Sequence, residues 1–260
     1  MQKVTSKDGT AIAYDKIGQG SAVILVSGAM IDRSYKGSVQ LAEFLSAHFT
    51  IFNYDRRGRG DSGDPKQYAV EREIEDMEAL IKEAGGSAFV YAMSSGAVLA
   101  LEAAAHGLNI KKLALYEPPF MINRADRPPA DHEAQLRAMV ASGRPGDAAK
   151  YFMTKIFGMP AIVVAIIRLT PMWAKAKAVA NSLPYDAAAM GDYSLPTQML
   201  TSVKAPTLVV GGAKSRASLR DAVRAVADTV PNGQLRMLEG QTHNVSMKAL
   251  APVLVEFFKG

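Results

Sequence analysis

"VYAMSSGAVLALEAAA", Val90 to Ala105, opens as an apolar run and continues as a small-residue, alanine-rich stretch, with two serines and a glycine between. A buried strand passing through a short polar turn into a helix is the repeating unit of a parallel α/β sheet. The serines then have two readings. One of them is an ordinary helix N-cap. Alternatively, Ser94 stands on a tight strand-to-helix turn that lifts its hydroxyl out of the sheet, and Ser95 offers a backbone N–H from the helix N-terminus, where positive dipole and free donors favour an oxyanion. Such a turn needs small flanks, and Ala92 and Gly96 supply them. The stretch by itself leaves both readings open.

Outward from it the periods alternate. "TAIAYDKI" follows the Asp8-Gly9 turn and reads as the second arm of a hairpin. "AVILVS" (22–27), "FTIFNYD" (49–55), "AFVYA", "KKLALYE", "APTLVVGG" and "QLRMLEG" read as strands. Helical spacing occupies 38–47, "AVEREIEDMEALIKEAGG", "SGAVLALEAAAHG", roughly 219–230 and 246–258. The expectation is an α/β class chain, a mostly parallel sheet flanked by helices on both faces. From Pro118 to about Lys204 no strand pattern occurs, only short helical stretches cut by prolines and rich in methionine, with the single Trp173. That divides the chain into a core of 1–117 and 205–260 and a helical cap insertion of 118–204. Such a cap, following a strand that ends in Glu117, suits a roof over an adaptable apolar pocket.

Composition narrows the function classes. The 260 residues are 48% apolar and 21% charged, an ordinary globular balance. A formal charge of +5 with scattered lysines and arginines gives no basic stripe, so nucleic acid is not an expected partner. The absence of cysteine removes disulfides, a thiolate nucleophile and cysteine metal sites, and fits a cytoplasmic protein. "MQKVTSKDGT" lacks a signal-peptide core, and the longest apolar run, Met159 to Ile167, falls short of the ~20 residues of a membrane span, so no membrane partner is expected.

A nucleophilic serine needs a base. His48 precedes a strand, His106 ends a helix, and His132 reads as solvated surface in the insertion. His243, in "LEGQTHNVS", lies after the last strand and before the last helix, at the carboxyl edge of the sheet where function gathers.

These stretches together resemble the α/β-hydrolase fold family over essentially the whole chain. "ILVSGA" is similar to the family's strand and oxyanion loop, with Ser27-Gly28 where His-Gly is common. "NYDRRGRGDS" (53–62) resembles its Asp-x-Arg-Gly-x-Gly-x-Ser segment, in which Gly58 and Gly60 serve turns and Asp55 is structural. Ala92-Met93-Ser94-Ser95-Gly96 matches the nucleophile elbow with alanine for its first glycine. The departure lies in the acid. The family usually has an aspartate soon after the strand read as "TLVVGG", where Ala213, Lys214, Ser215 and Arg216 stand; Asp221 comes later, within a helix. Some members, certain haloalkane dehalogenases and the zearalenone lactonases among them, carry the acid one strand earlier, and Glu117 in "LALYEPP" occupies that place.

The resemblance implies a serine hydrolase that cleaves a carboxylic ester or lactone, an esterase or lactonase, through an acyl-enzyme. Ser94, His243 and Glu117 would be the catalytic residues, with the Ala29 and Ser95 amides as oxyanion donors and Gly28 giving the backbone room. Met30, Ile31, Tyr35 and Trp173 are the expected pocket residues. Ser95→Ala should retain much of the turnover, because Ser95 acts through its backbone, and Asp192 is a cap carboxylate that could assist the acid. No metal and no cofactor are expected. The partner is a small apolar ester or lactone, and a homodimer is compatible with the family. A haloalkane dehalogenase would need aspartate at Ser94. An acyltransferase or cofactor-free perhydrolase would share the acyl-enzyme, and a non-catalytic small-molecule receptor would share the pocket.

Overall fold

The computed structural model describes residues 1–65 and 67–260. Eight strands, β1 (Gln2–Thr5), β2 (Ala11–Ile17), β3 (Ala22–Val26), β4 (Thr50–Tyr54), β5 (Ala88–Met93), β6 (Ile110–Tyr116), β7 (Thr207–Gly212) and β8 (Gly233–Leu238), form one sheet in the order β1-β2-β4-β3-β5-β6-β7-β8. Pairing is antiparallel between β1 and β2 and between β2 and β4, and parallel elsewhere. The helices that cover it are α1 (Lys36–Ser46), α2 (Val70–Glu83), α3 (Ser95–Ala105), α10 (Ala217–Thr229) and α11 (Met247–Lys259). The insertion contributes α4 (His132–Ala141), α5 (Pro145–Tyr151), α6 (Ala161–Ile167), α7 (Pro171–Val179), α8 (Leu183–Met190) and α9 (Thr197–Ser202), and no strand among its described residues.

The apolar strand runs follow from burial on both faces. Along β5, Val90 and Ala92 join the cluster under α2, α3 and α10, whereas Tyr91 joins the opposite cluster under α1 and α11. β3 and β6 split in the same alternating way, with Leu113 and Leu115 on one side and Ala114 and Tyr116 on the other. Helix α3 is buried nearly all round, from the sheet on one side and the insertion on the other, which explains why it is built from alanine, valine and leucine. Leu136, Ala148, Leu183 and Ala187 of the insertion belong to that same core cluster.

Register brings the carboxyl ends of β5, β6 and β7 level: Met93 is opposite Tyr116, and Tyr116 opposite Val210. Three chain exits meet at this edge.

Candidate active site

Ser94 adopts φ 53° and ψ −128°, between the end of β5 and the first residue of α3. A side-chain-bearing residue in this region costs about 1–3 kcal/mol and persists only where its surroundings fix it. Here the Ser94 N–H donates to the Tyr116 carbonyl at 2.9 Å, and the Ser94 carbonyl accepts from the Ala97 N–H at 2.9 Å. Gly96 has to be glycine, because a Cβ there would lie 2.5 Å from the Ser27 carbonyl oxygen. Among the described residues the non-glycine positive φ values fall on Met30, Ser94, Glu117 and Tyr193. Met30, Ser94 and Tyr193 line one cavity, and Glu117 holds a histidine on its wall. Strain is therefore gathered at this one place.

Glu117, the residue after β6, is fully buried. Its Oε1 accepts the Gly212 N–H at 2.7 Å, and its Oε2 accepts from His243 Nδ1 at 2.7 Å. Burial would push this carboxyl up; the hydrogen bond from His243, the nearby Ser215 hydroxyl and the Gly212 amide outweigh it and hold the pKa below the ordinary glutamate value. Ser215 Oγ itself lies outside good hydrogen-bonding geometry, so the His243 and Gly212 bonds are the ones with full strength. The loop carrying His243 crosses the end of β7 and is pinned by the Tyr116 hydroxyl, which donates to the Thr242 carbonyl at 2.6 Å. With Nδ1 committed to the carboxylate, Nε2 is the nitrogen left for chemistry. Among the described residues no hydrogen bond joins Ser94 Oγ to His243; both line the same cavity.

Gly28 packs directly beneath the serine, where an added Cβ would stand 2.9 Å from Ser94 Cβ. Ser95 follows Ser94 directly and Ala29 follows Gly28, so both line the cavity at the serine, and among the described residues neither amide donates to another protein group. The cavity they open into measures about 870 Å³, within the size range of small-molecule sites. Its wall joins core residues to side chains of the insertion, especially the π-helical turn Phe152–Ile156. Met30, Ile31 and Tyr35 line it as the sequence suggests; Trp173 does not. The indole packs instead against Gly146 and under the Arg168 guanidinium, 5.5 Å away, because α7 turns its neighbour Met172 toward the cavity. Asp221 is exposed beside Arg224, and Asp192 is exposed and paired with Arg127 at 3.0 Å, so neither carboxylate approaches His243. His132 is buried rather than solvated, its ring 5.4 Å from Tyr193 and its Nδ1 on the Pro129 carbonyl.

Beneath the serine lies a charge cluster that the sequence reading passes over. Arg56, Arg57 and Arg59 of "DRRGRGD" are all buried. Arg56 binds Glu73 with two nitrogens, at 2.6 and 2.7 Å, and Asp186 of α8 with a third contact at 2.7 Å. Arg59 holds the other Asp186 oxygen at 2.7 Å, the Gly28 carbonyl at 2.6 Å and the Ile31 carbonyl at 3.0 Å. Asp186 Oδ1 also accepts the Ser95 hydroxyl at 2.8 Å. One carboxylate thus ties together the turn at Ser94–Ser95, the loop after β3 (through Arg59) and the insertion. Burial would raise its pKa, but the two guanidiniums and the Ser95 hydroxyl keep it below the usual aspartate value. The Ser95 hydroxyl is therefore held by a buried carboxylate, so a Ser95→Ala variant that keeps its turnover should still lose stability. We expect Ser95→Ala to cost about 1.5–3 kcal/mol, the loss of a hydrogen bond to a charged buried group. Asp186→Asn should cost about 3 kcal/mol or more, because two buried cations lose their shared counter-charge. Urea unfolding of the two variants measures this, and changes below half a kcal/mol in both would show the cluster to be incidental.

Comparison with known proteins gives consistent results. The model of the alpha/beta hydrolase family matches residues 23–254. The crystal structure of an alpha/beta hydrolase from Sphaerobacter thermophilus is similar over 99% of this chain and 100% of that one, with 52% identity and a TM-score of 0.92. A malate-bound thermophilic esterase from Thermogutta terrifontis shares the fold at 22% identity and TM-score 0.74, covering 99% of this chain and 96% of its own. An enol-lactonase from Burkholderia xenovorans does so at 20% identity and TM-score 0.74 over the full length of both chains.

Proposed function

The chain belongs to the alpha/beta hydrolase family, and from that premise we propose that it is a serine hydrolase of carboxylic esters or lactones. The observation that carries the reading is the buried Glu117–His243 hydrogen bond on the wall of the same cavity as the strained Ser94. Esterases and an enol-lactonase among the structures of like fold support it.

In this mechanism Ser94 Oγ adds to the substrate carbonyl while His243 Nε2 takes its proton. The carbonyl π pair moves onto oxygen, where the Ala29 and Ser95 N–H groups receive it. Collapse of the tetrahedral adduct breaks the bond to the alkoxy oxygen, which leaves with the proton from His243. Water then adds to the acyl-serine with His243 again as base, and collapse releases the acid and restores Ser94. Glu117 keeps the imidazole in the required tautomer and offsets the charge of its protonated form. The 118–204 insertion acts as the cap that walls off the acyl group.

Labelling by a fluorophosphonate probe tests the reading, since only an activated serine reacts. Labelling at Ser94 is the expected result; an unlabelled, folded chain would favour a binding protein. A screen of short esters against lactones then separates the two substrate types. The rate should also fall as pH drops from 8 toward 5, because a protonated imidazole cannot act as the base. Glu117, held below its ordinary value, stays ionised across that range and adds no second acid limb. A kcat/KM profile flat between pH 5 and 8 would remove histidine as the base.

A further inference from the structure

We propose that the cavity rim beside His243 is an anion subsite, so that the ester or lactone attacked by Ser94 carries a carboxylate remote from the scissile carbonyl. The inference rests on the serine hydrolase reading and names its substrate class. Three cations, Lys155 of the π-helical turn and Lys214 and Arg216 of the β7–α10 loop, line the cavity that contains Ser94 and His243. Among the described residues none of the three has a carboxylate within ion-pairing distance. Most other arginines around the site are spent: Arg56 and Arg59 on buried acids, Arg127 on Asp192. Of the carboxylates on the wall, Asp186 already faces two guanidiniums, and Asp126 is exposed. Even with Asp126 and the buried Glu117 counted, the rim stays net positive.

Arg216 is placed rather than free. Its guanidinium sits 5.3 Å over the Phe157 ring, and that ring lies 5.5 Å from the His243 imidazole. The absence of a side chain at Gly158 leaves room for it, because a Cβ there would stand 2.9 Å from Arg216 Nη1. Stacking fixes the plane of the fork without using its donors, which is the state in which guanidinium recognises carboxylate best. Deeper in, the wall is Met30, Met93, Met153, Met190 and Phe120, which offers an acid no partner and would strip its hydration. The cavity therefore offers an apolar wall to the acyl chain and a cationic rim beside His243 to its terminal acid.

The experiment compares 4-nitrophenyl hydrogen adipate with its methyl ester, which has the same acyl length without the charge. The readout is the ratio of their kcat/KM values, so a loss common to both cancels. We expect the acid to be preferred on the order of tenfold, the scale of one charge-assisted pair. The preference should shrink in 1 M salt, where the screening length is only about 3 Å. Arg216→Gln should bring the ratio toward one and Arg216→Lys should restore part of it; a Lys155→Gln, Lys214→Gln double variant should lower it independently. A wild-type ratio near one at low salt, or a ratio that Arg216→Gln leaves unchanged, would overturn the proposal while the serine hydrolase reading stood. If neither ester is turned over and no fluorophosphonate label enters, that reading fails instead. Calorimetry with adipate then decides the subsite alone: binding that Arg216→Gln weakens sustains it, and no binding to the wild type ends it.

Discussion

Ser94→Ala is expected to lower ester turnover by about 10⁶-fold while leaving the chain folded, the scale on which a serine-triad enzyme loses kcat with its nucleophile. Alanine keeps the Cβ, so the unfavourable φ of 53° is neither relieved nor worsened. The hydroxyl is the group removed, and among the described residues it makes no hydrogen bond to lose. Stability should accordingly change by only a few tenths of a kcal/mol, within the range of substitutions that touch no named feature. This is the opposite signature from Ser95→Ala, where the hydroxyl has a buried carboxylate partner and stability should drop. Steady-state kinetics beside an unfolding curve for each variant separates the two serines. A Ser94→Ala chain that still turns ester over would place the nucleophile elsewhere.

The second large effect concerns Glu117. Replacing it by glutamine should cut turnover at saturating substrate by about 10⁴-fold, as the comparable acid-to-amide change does in a serine protease. The local reason is specific to this site. The carboxylate accepts from Gly212 N–H with one oxygen and from His243 Nδ1–H with the other. An amide has only one acceptor oxygen, so its NH₂ must face one of those two donors or turn the imidazole to the wrong tautomer. Some loss of stability accompanies this, about 1–3 kcal/mol for a buried donor left without a partner. Asp221→Asn, at an exposed helical carboxylate, should be close to wild type. If Asp221→Asn is the crippled variant and Glu117→Gln is not, the acid lies after β7 and the role given to Glu117 is wrong.

The strands and the core helices were legible because burial on both faces writes itself as unbroken apolar runs, and amphipathic spacing marks the helices. "AFVYA" ends one residue short of β5, and the helix read as 219–230 is Ala217–Thr229. The elbow and its histidine were legible from their positions at strand ends. Burial of charge was not. "DRRGRGD" shows no partner nearby, since each arginine finds its main acid 17 to 127 residues away, and Asp186 in "PYDAAAM" has no neighbour that betrays it. Three arginines within four positions between a strand and a glycine-rich loop were the one available signal. His132 and Trp173 failed for a related reason. Which face of a short insertion helix turns inward depends on how several such helices pack, and each alone has too few residues to show a stripe.

The shared carboxylate of Asp186 has a bearing on how such chains diversify. Because it neutralises Arg56 and Arg59 from a helix 127 residues downstream of Arg59, the insertion is stitched into the folding unit rather than laid on top of it. A shortened chain joining 1–117 directly to 205–260 would leave Arg59 without its acid and Arg56 with Glu73 alone, and should lose stability accordingly. Exchange of this segment is then conditional: a transplanted insertion must bring an acid to the same spot, whatever else it changes. Met172, on the pocket wall and largely exposed, carries no such pairing, whereas the ionic stitch constrains which insertions this core can accept.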